Sequence, residues 1–502
     1  MWLLARRNLA VRPGRTGLFL AGFALAVGVM IALLSVGEAI VEQARDKDLV
    51  GGADIVLVPA GSDVEVLKLG GVTAMFSTIP NARFVHRQLL SGPRFAGDIA
   101  ADAPTWVGRP VFLRRRAGAP AIQALASATV PSLERAVGAS ALPPGWIDSP
   151  GEARFAALDG AALYDEMDHG HCPDPAHPDV ARWAEWSYFN VLDAGSGRYA
   201  YLSFFVAGDA RGGRALGSLS IQLGAPGRPA VRHIFVVPVD STAFPTDRAA
   251  VTIAGGGEQA TVRVVDGTYR LTARFRDRLG GAKVELDLDV VPRPRAFHPP
   301  MVLRGADGFE SGYVVPAVLA RASGSITVGG TRTTFDGALA YHDHNWGYWR
   351  SAAWDWGQVQ SADGRFALVY ASVHAPELDR TGQGGRRFAI VSADDGFLGL
   401  LAPRAIEYGA WHGGPVVAGR AVRVPGTIRF AAAGEDDSLA VELKVEDVAA
   451  SLPAGDPRGE GPALGGGRVF LQMRGTWTVR GRVGGRALAF TAPGAAETFV
   501  DR

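Results

Sequence analysis

From Trp183 onward the chain reads as a long succession of short runs in which apolar and polar residues alternate, broken by Gly and Pro. Such alternation places successive side chains on opposite faces of a strand. WSYFNVL and RYAYLSFFVAG flank Asp193-Ala-Gly-Ser-Gly197, which predicts a hairpin. LGSLSIQLG, VRHIFVVPV, ATVRVV, TYRLTARF and KVELDLDVV follow at intervals of 10 to 15 residues, and SGSITVGGTRTTFDGALAYHD predicts a hairpin turning at Gly329-Gly330. RFALVYASV, RRFAIVSA, GTIRFAAA, SLAVELKVEDV, RVFLQMRGTWTVRG and ALAFTA carry the pattern to the end. Few segments hold a helical period, so the main body is expected to be all-β, as a pair of barrels or sandwiches. Residues 116 to about 160, rich in Ala, Pro and Gly, read as a short helix and linker.

One segment breaks the pattern. Gly17 to Gly37, GLFLAGFALAVGVMIALLSVG, carries no charge, and as a helix its 21 residues span about 32 Å, enough to cross a bilayer. Arg6, Arg7, Arg12 and Arg15 precede it, and Glu38 and Glu42 follow. This asymmetry predicts an uncleaved single-pass anchor in a bacterial cytoplasmic membrane, with the N-terminus inside and the main body extracytoplasmic. A cleaved signal peptide is the alternative, but its apolar region is normally shorter and no small-x-small cleavage site follows here.

Composition narrows the partners. The formal net charge is +1, which offers no field to recruit nucleic acid. Cys172 is the only cysteine, so no disulfide forms within the chain. There is no GxxxxGK[ST] for a nucleotide phosphate and no GxSxG elbow for an acyl-transfer serine, and no cofactor is assigned.

The densest candidate chemistry lies at Tyr341-His-Asp-His-Asn-Trp-Gly-Tyr-Trp-Arg350 and Trp354-Asp-Trp-Gly357. On a strand, Tyr341, Asp343 and Asn345 share one face, and His342, His344 and Trp346 the other. If Asp343 faces an aromatic-lined cavity, burial favours its neutral acid, which can protonate an alkene while nearby rings stabilise the carbocation. The other reading has Asp343 and Asn345 capping a turn and the tryptophans in a core. His342 and His344 have the spacing of some zinc ligands, but no third ligand is identifiable by spacing and no metal is assigned. A second patch, Asp168-His-Gly-His-Cys-Pro-Asp-Pro-Ala-His-Pro-Asp179, matches no zinc spacing and reads mainly as a loop leading into the first strand. In that strand Glu185, beside Trp186, either faces a cavity or sits at a strand edge in solvent.

AEWSYFNV (Ala184 to Val191), YHDHNWG (Tyr341 to Gly347) and WDWGQVQ (Trp354 to Gln360) together resemble the carotenoid 1,2-hydratase family, which also includes lipocalin-like extracytoplasmic partners of some ABC systems. Ser187 stands where that family usually has a second Trp. The resemblance covers about residues 150 to 502. It implies two packed lipocalin-like barrels, residues 151–320 and 321–502, around an apolar pocket. It also implies Asp343 as proton donor with Tyr341 beside it, and a ligand wall of Glu185, Trp186, Tyr188, Asn345, Trp346, Trp354 and Trp356. The substrate implied is an isoprenoid or lipid-like molecule, hydrated or cyclised by acid. The opening of the chain resembles an FtsX-like ABC-transporter permease without its remaining transmembrane helices. It divides into a basic tail and anchor (1–45) and a permease-like extracytoplasmic segment with linker (46–150). On this reading the alternative function is a non-catalytic ligand-binding accessory to an ABC transporter's ATPase and permease subunits.

Overall fold

The structure, a computed structural model, describes residues 13–14, 16–18, 21–30, 57, 79–106, 110–113, 122–125, 128–138, 145–157, 162–304, 310–349, 353–374, 387–434, 436–452 and 468–501. The chain forms two compact units. One contains residues 1–77 and 101–156, and the other 78–100 and 157–502. In the first unit the described elements include short strands and the helices Pro131–Ala136 and Pro150–Ala156. Pro131 opens its helix at a position where the missing N–H costs nothing. The apolar segment Gly17–Gly37 lies only partly within the described residues. Residues 21–30 are helical and expose Phe23, Leu25, Val29 and Met30. Among the described residues no helix is long and apolar enough to cross a membrane.

The second unit is dominated by two antiparallel sheets. The first has eleven strands, and its path runs Arg228–Val239, Arg214–Ala225, Tyr199–Asp209, Trp183–Leu192, Thr331–Tyr348, Glu310–Val328, Lys283–Pro292, Thr268–Arg276, Glu258–Val265 and Ala250–Gly255. His298–Arg304 pairs onto Glu310–Val328 from the side. The two ends of this path come into contact, so the sheet curls into a barrel-like shape. The second sheet has nine strands, in the order Gly396–Leu401, Arg387–Ala393, Phe366–His374, Ala353–Gln360, Arg486–Val500, Val469–Val483, Ser438–Ser451, Thr427–Ala433 and Glu407–Gly409.

The sheet changes at residues 349–352, later than a boundary at 320/321. The cause is one long hairpin. Glu310–Val328 and Thr331–Tyr348 pair with each other, while their outer edges bond to Lys283–Pro292 and Trp183–Leu192. The whole hairpin therefore belongs to the first sheet. Gly329 and Gly330 at its tip have φ of +55° and +87°, a conformation that favours glycine.

Burial distinguishes two kinds of strand. Thr268–Arg276 alternates strictly, with Tyr269, Leu271, Ala273 and Phe275 inside and the Thr and Arg residues outside. Trp183–Leu192 and Ala353–Gln360 are buried on both faces. One face of each lines its own sheet's core, and the other meets the opposite sheet in an aromatic-rich layer that includes Tyr188, Tyr201, Tyr313, Tyr341, Trp349, Trp356 and Phe388. The helix Ile79–Ser91 caps this body. Phe84 packs edge-on to Phe297 and Phe397, with centroids 5.4 and 5.2 Å away, and Asn81 donates to the Pro300 carbonyl at 3.1 Å.

Candidate functional site

The segment Tyr341–Trp346 runs between the first sheet's interior and the layer between the sheets, so it divides its polar residues between two environments. Register fixes the neighbours: Asp343 is opposite Tyr188, Asn345 opposite Trp186 and Tyr313, and Trp346 opposite Glu185.

Tyr341, Asp343 and Asn345 face the layer between the sheets. Asp343 is 2% exposed. The Tyr341 hydroxyl donates to its Oδ2 at 2.8 Å, with longer contacts from the Tyr313 hydroxyl and the Asn345 amide, both at 3.4 Å. Burial pushes the Asp343 carboxyl up to about 8, although the tyrosine hydrogen bonds pull the other way; the charge of Glu497 adds to the rise. Glu497, also buried, accepts from Tyr188 Oη at 2.9 Å, Trp354 Nε1 at 3.0 Å and Gln472 Nε2 at 3.2 Å. Burial raises its pKa too, against those same hydrogen bonds. Aromatic rings enclose both acids. Trp356 lies 5.5 Å from Tyr341 and 5.6 Å from Tyr188, and Trp186 lies 4.7 Å from Trp349 and 6.0 Å from Trp354. Asp343, held by neutral hydrogen-bond donors in an aromatic layer, can keep a proton at neutral pH and release it to a weak base.

His342, His344, Trp346 and Glu185 face the first sheet's interior. His344 bridges two carboxylates, Nδ1 to Asp168 Oδ1 and Nε2 to Glu185 Oε1, each at 2.8 Å. Burial opposes its charged form, but the two carboxylates outweigh it and lift its pKa to about 9. Asp168 also faces His342 Nε2 at 3.0 Å and accepts from the Tyr269 hydroxyl at 2.8 Å. Burial alone would raise Asp168; His342 and His344 hold it well below the usual carboxylate range. The loop after Asp168 folds over this cluster. The His171 N–H donates to Glu185 Oε1 at 2.8 Å, and its ring stacks on Trp346 at 3.6 Å. Gly312 permits that stack, because a Cβ there would collide with the Trp346 indole.

The expected ligand wall is thus divided. Trp186, Tyr188, Asn345, Trp354 and Trp356 surround the layer that holds Asp343. Glu185 and Trp346 do not, because strand alternation turns each to the opposite face from its sequence neighbour. Neither solvent-edge exposure nor a cavity describes Glu185, which is fully buried in the histidine cluster. His342 and His344 meet on Asp168, and His342 turns its Nδ1 to the Tyr188 carbonyl at 3.1 Å. Glu497, Tyr313 and Gln472 complete these clusters without having been singled out from the sequence, whereas Asp168 opens the second patch noted there. The signal for Glu497 was present: a lone carboxylate inside the apolar strand Arg486–Val500.

In Ala353–Gln360 the alternation sends Trp354 and Trp356 to the layer and Asp355 to the second sheet's interior. There Asp355 accepts from Tyr408 and Thr498 hydroxyls at 2.6 Å each and lies 3.2 Å from His374 Nε2. Burial would raise it, but His374 and the hydroxyls hold its carboxyl low.

Residues 165–394 match a family described as a domain of unknown function, DUF7064. The match takes in Asp168, Glu185 and the Tyr341–Trp356 region. No curated protein matches the chain. Among solved structures the chain is similar to an AttH-like chain from Nitrosomonas europaea, at 18% identity and TM-score 0.43, covering 66% of this chain and 97% of that one. It is similar to CghA with Sch210972, at 14% identity and TM-score 0.46, covering 66% and 94%. It is also similar to kievitone hydratase from Nectria haematococca, at 13% identity and TM-score 0.43, covering 67% and 97%.

Proposed function

We propose that the protein binds an acyclic isoprenoid or similarly unsaturated lipid-like molecule between its two sheets and protonates a carbon–carbon double bond from Asp343. One observation carries this reading: Asp343 is buried among aromatic rings and, among the described residues, hydrogen-bonded only by neutral groups, Tyr341, Tyr313 and Asn345. Proton transfer from the carboxyl group to the alkene leaves a carbocation and a carboxylate. The faces of Trp356, Tyr341 and Tyr188 supply quadrupole stabilisation to that cation without a nucleophile that would trap it covalently. Capture by water gives an alcohol, and capture by an internal double bond gives a ring. In either case the proton lost at the end returns to the Asp343 carboxylate, so the catalyst is regenerated. Tyr341 positions the carboxyl group through its 2.8 Å hydrogen bond.

We place this chemistry on the outer side of a cytoplasmic membrane. The arginines before Gly17, the acids after Gly37 and the exposed apolar side chains of helical residues 21–30 support that location.

The test is product analysis with a panel of acyclic isoprenoids bearing a terminal dimethyl-substituted double bond. Asp343→Asn keeps the size and most hydrogen bonding but lacks the acid proton. Turnover is expected to fall roughly 10² to 10⁴-fold with affinity little changed. A variant that keeps full turnover overturns the assignment, and binding without turnover in the wild type favours the accessory-protein reading.

A further inference from the structure

On the opposite face of the same strand, the histidine cluster has a composition that an ion-pair network does not require. We propose that His171, Glu185 and His344 form a binding site for one divalent transition-metal ion of the zinc class.

The ligand atoms of these three residues lie within 4.8 Å of one another. A tetrahedral ion with ligands at about 2.0–2.2 Å needs donors roughly 3.3 Å apart. The two spacings to the carboxylate bracket that value: His344 Nε2 is 2.8 Å and His171 Nδ1 3.4 Å from Glu185 Oε1. An ion would adjust the separation of the two rings, now within 4.8 Å, by side-chain rotation. Two imidazoles and one carboxylate leave a fourth position for water, the pattern of zinc sites that stay open on one side. Nitrogen and oxygen donors of this kind suit zinc and its first-row neighbours better than calcium or magnesium.

The surroundings are those of a metal site as well. Asp168 holds His344 Nδ1 at 2.8 Å, which fixes the ring with Nε2 aimed at the cluster, as outer carboxylates do for ligating histidines. The Trp346 stack fixes the plane of the His171 ring. Glu185 is further held by the His171 N–H. Beside His171, at 4.7 Å between ring centroids, His169 keeps a buried Nδ1 with no hydrogen-bond partner among the described residues. On binding, the ion takes the place of the Nε2 proton of His344, and that proton leaves to solvent along the partly exposed His171 side.

The test uses the full-length protein, purified in detergent, stripped with a chelator and titrated with Zn²⁺ or Co²⁺. One equivalent is expected to bind, with tetrahedral cobalt absorption bands and a zinc-dependent rise in melting temperature. His171 lies on a partly exposed loop, so His171→Ala should fold and weaken binding at least tenfold. Glu185→Gln should do the same, and His177→Ala, altering a histidine stacked on Tyr348 outside the cluster, should bind as wild type. No saturable binding at micromolar metal overturns the proposal. So does binding that survives in both His171→Ala and Glu185→Gln.

Discussion

Replacing Asp343 by Asn should stabilise the protein, and increasingly so as the pH rises. The carboxyl titrates near 3.8 when solvated and near 8 in the fold, chiefly because burial removes it from water. A carboxyl whose folded pKa is raised binds more protons folded than unfolded. Its contribution to stability is therefore fullest below about pH 4 and is lost as the pH climbs toward 8. Each pH unit in that window costs the fold up to about 1.36 kcal/mol, so from pH 4 to pH 7 the penalty is on the order of 4 kcal/mol. Asn carries no such proton and escapes the penalty, while its amide retains a partner for Tyr341. The assay is urea and thermal unfolding of both proteins from pH 4 to pH 8 in chelator-containing buffer. Taking the difference between variant and wild type cancels the groups they share. The variant should gain a few kcal/mol on the wild type across the window. A flat difference, or a wild type that gains with rising pH, would mean that Asp343 is ionised in the fold and would refute the stored-proton argument.

Two further predictions follow from packing. Phe84→Ala removes the ring that seals Phe297 and Phe397 and should lower stability by roughly 1–3 kcal/mol by thermal melting, because the site is only partly buried; an unchanged melting temperature would separate the helix Ile79–Ser91 from the main body. Asp355→Ala removes the buried carboxylate that faces His374 and accepts from the Tyr408 and Thr498 hydroxyls, and should cost about 3–5 kcal/mol at neutral pH. Because the Asp355 pKa is depressed, that cost should be present above about pH 4 and shrink as the pH falls below it, and a pH-independent loss would contradict the ionised assignment.

The sequence was most readable where one local rule decided the outcome. Gly197 and the pair Gly329–Gly330 marked turns because few other residues accept a positive φ there. The division of Tyr341–Trp346 into two faces followed from the strand period alone. Long-range association was not readable. His344 meets Asp168 across 176 residues, and Asp343's layer includes Glu497 from the last strand; spacing carries no information about either meeting. Treating Glu185 and Trp186 as one wall failed for a local reason, since adjacent strand residues point apart. The change of sheet after residue 348 was not readable, because the hairpin 310–348 looks, in sequence, like any other pair of strands.

The central claim is that a proton held on Asp343 is delivered to carbon, and turnover in deuterium oxide tests it most directly. Full-length protein would be incubated with an acyclic isoprenoid in deuterium oxide and the product examined by mass spectrometry. The account predicts one non-exchangeable, carbon-bound deuterium per product molecule with the wild type, and product formation reduced roughly 10² to 10⁴-fold with Asp343→Asn. Product lacking carbon-bound deuterium, or deuterium delivered at the wild-type rate by Asp343→Asn, would contradict it.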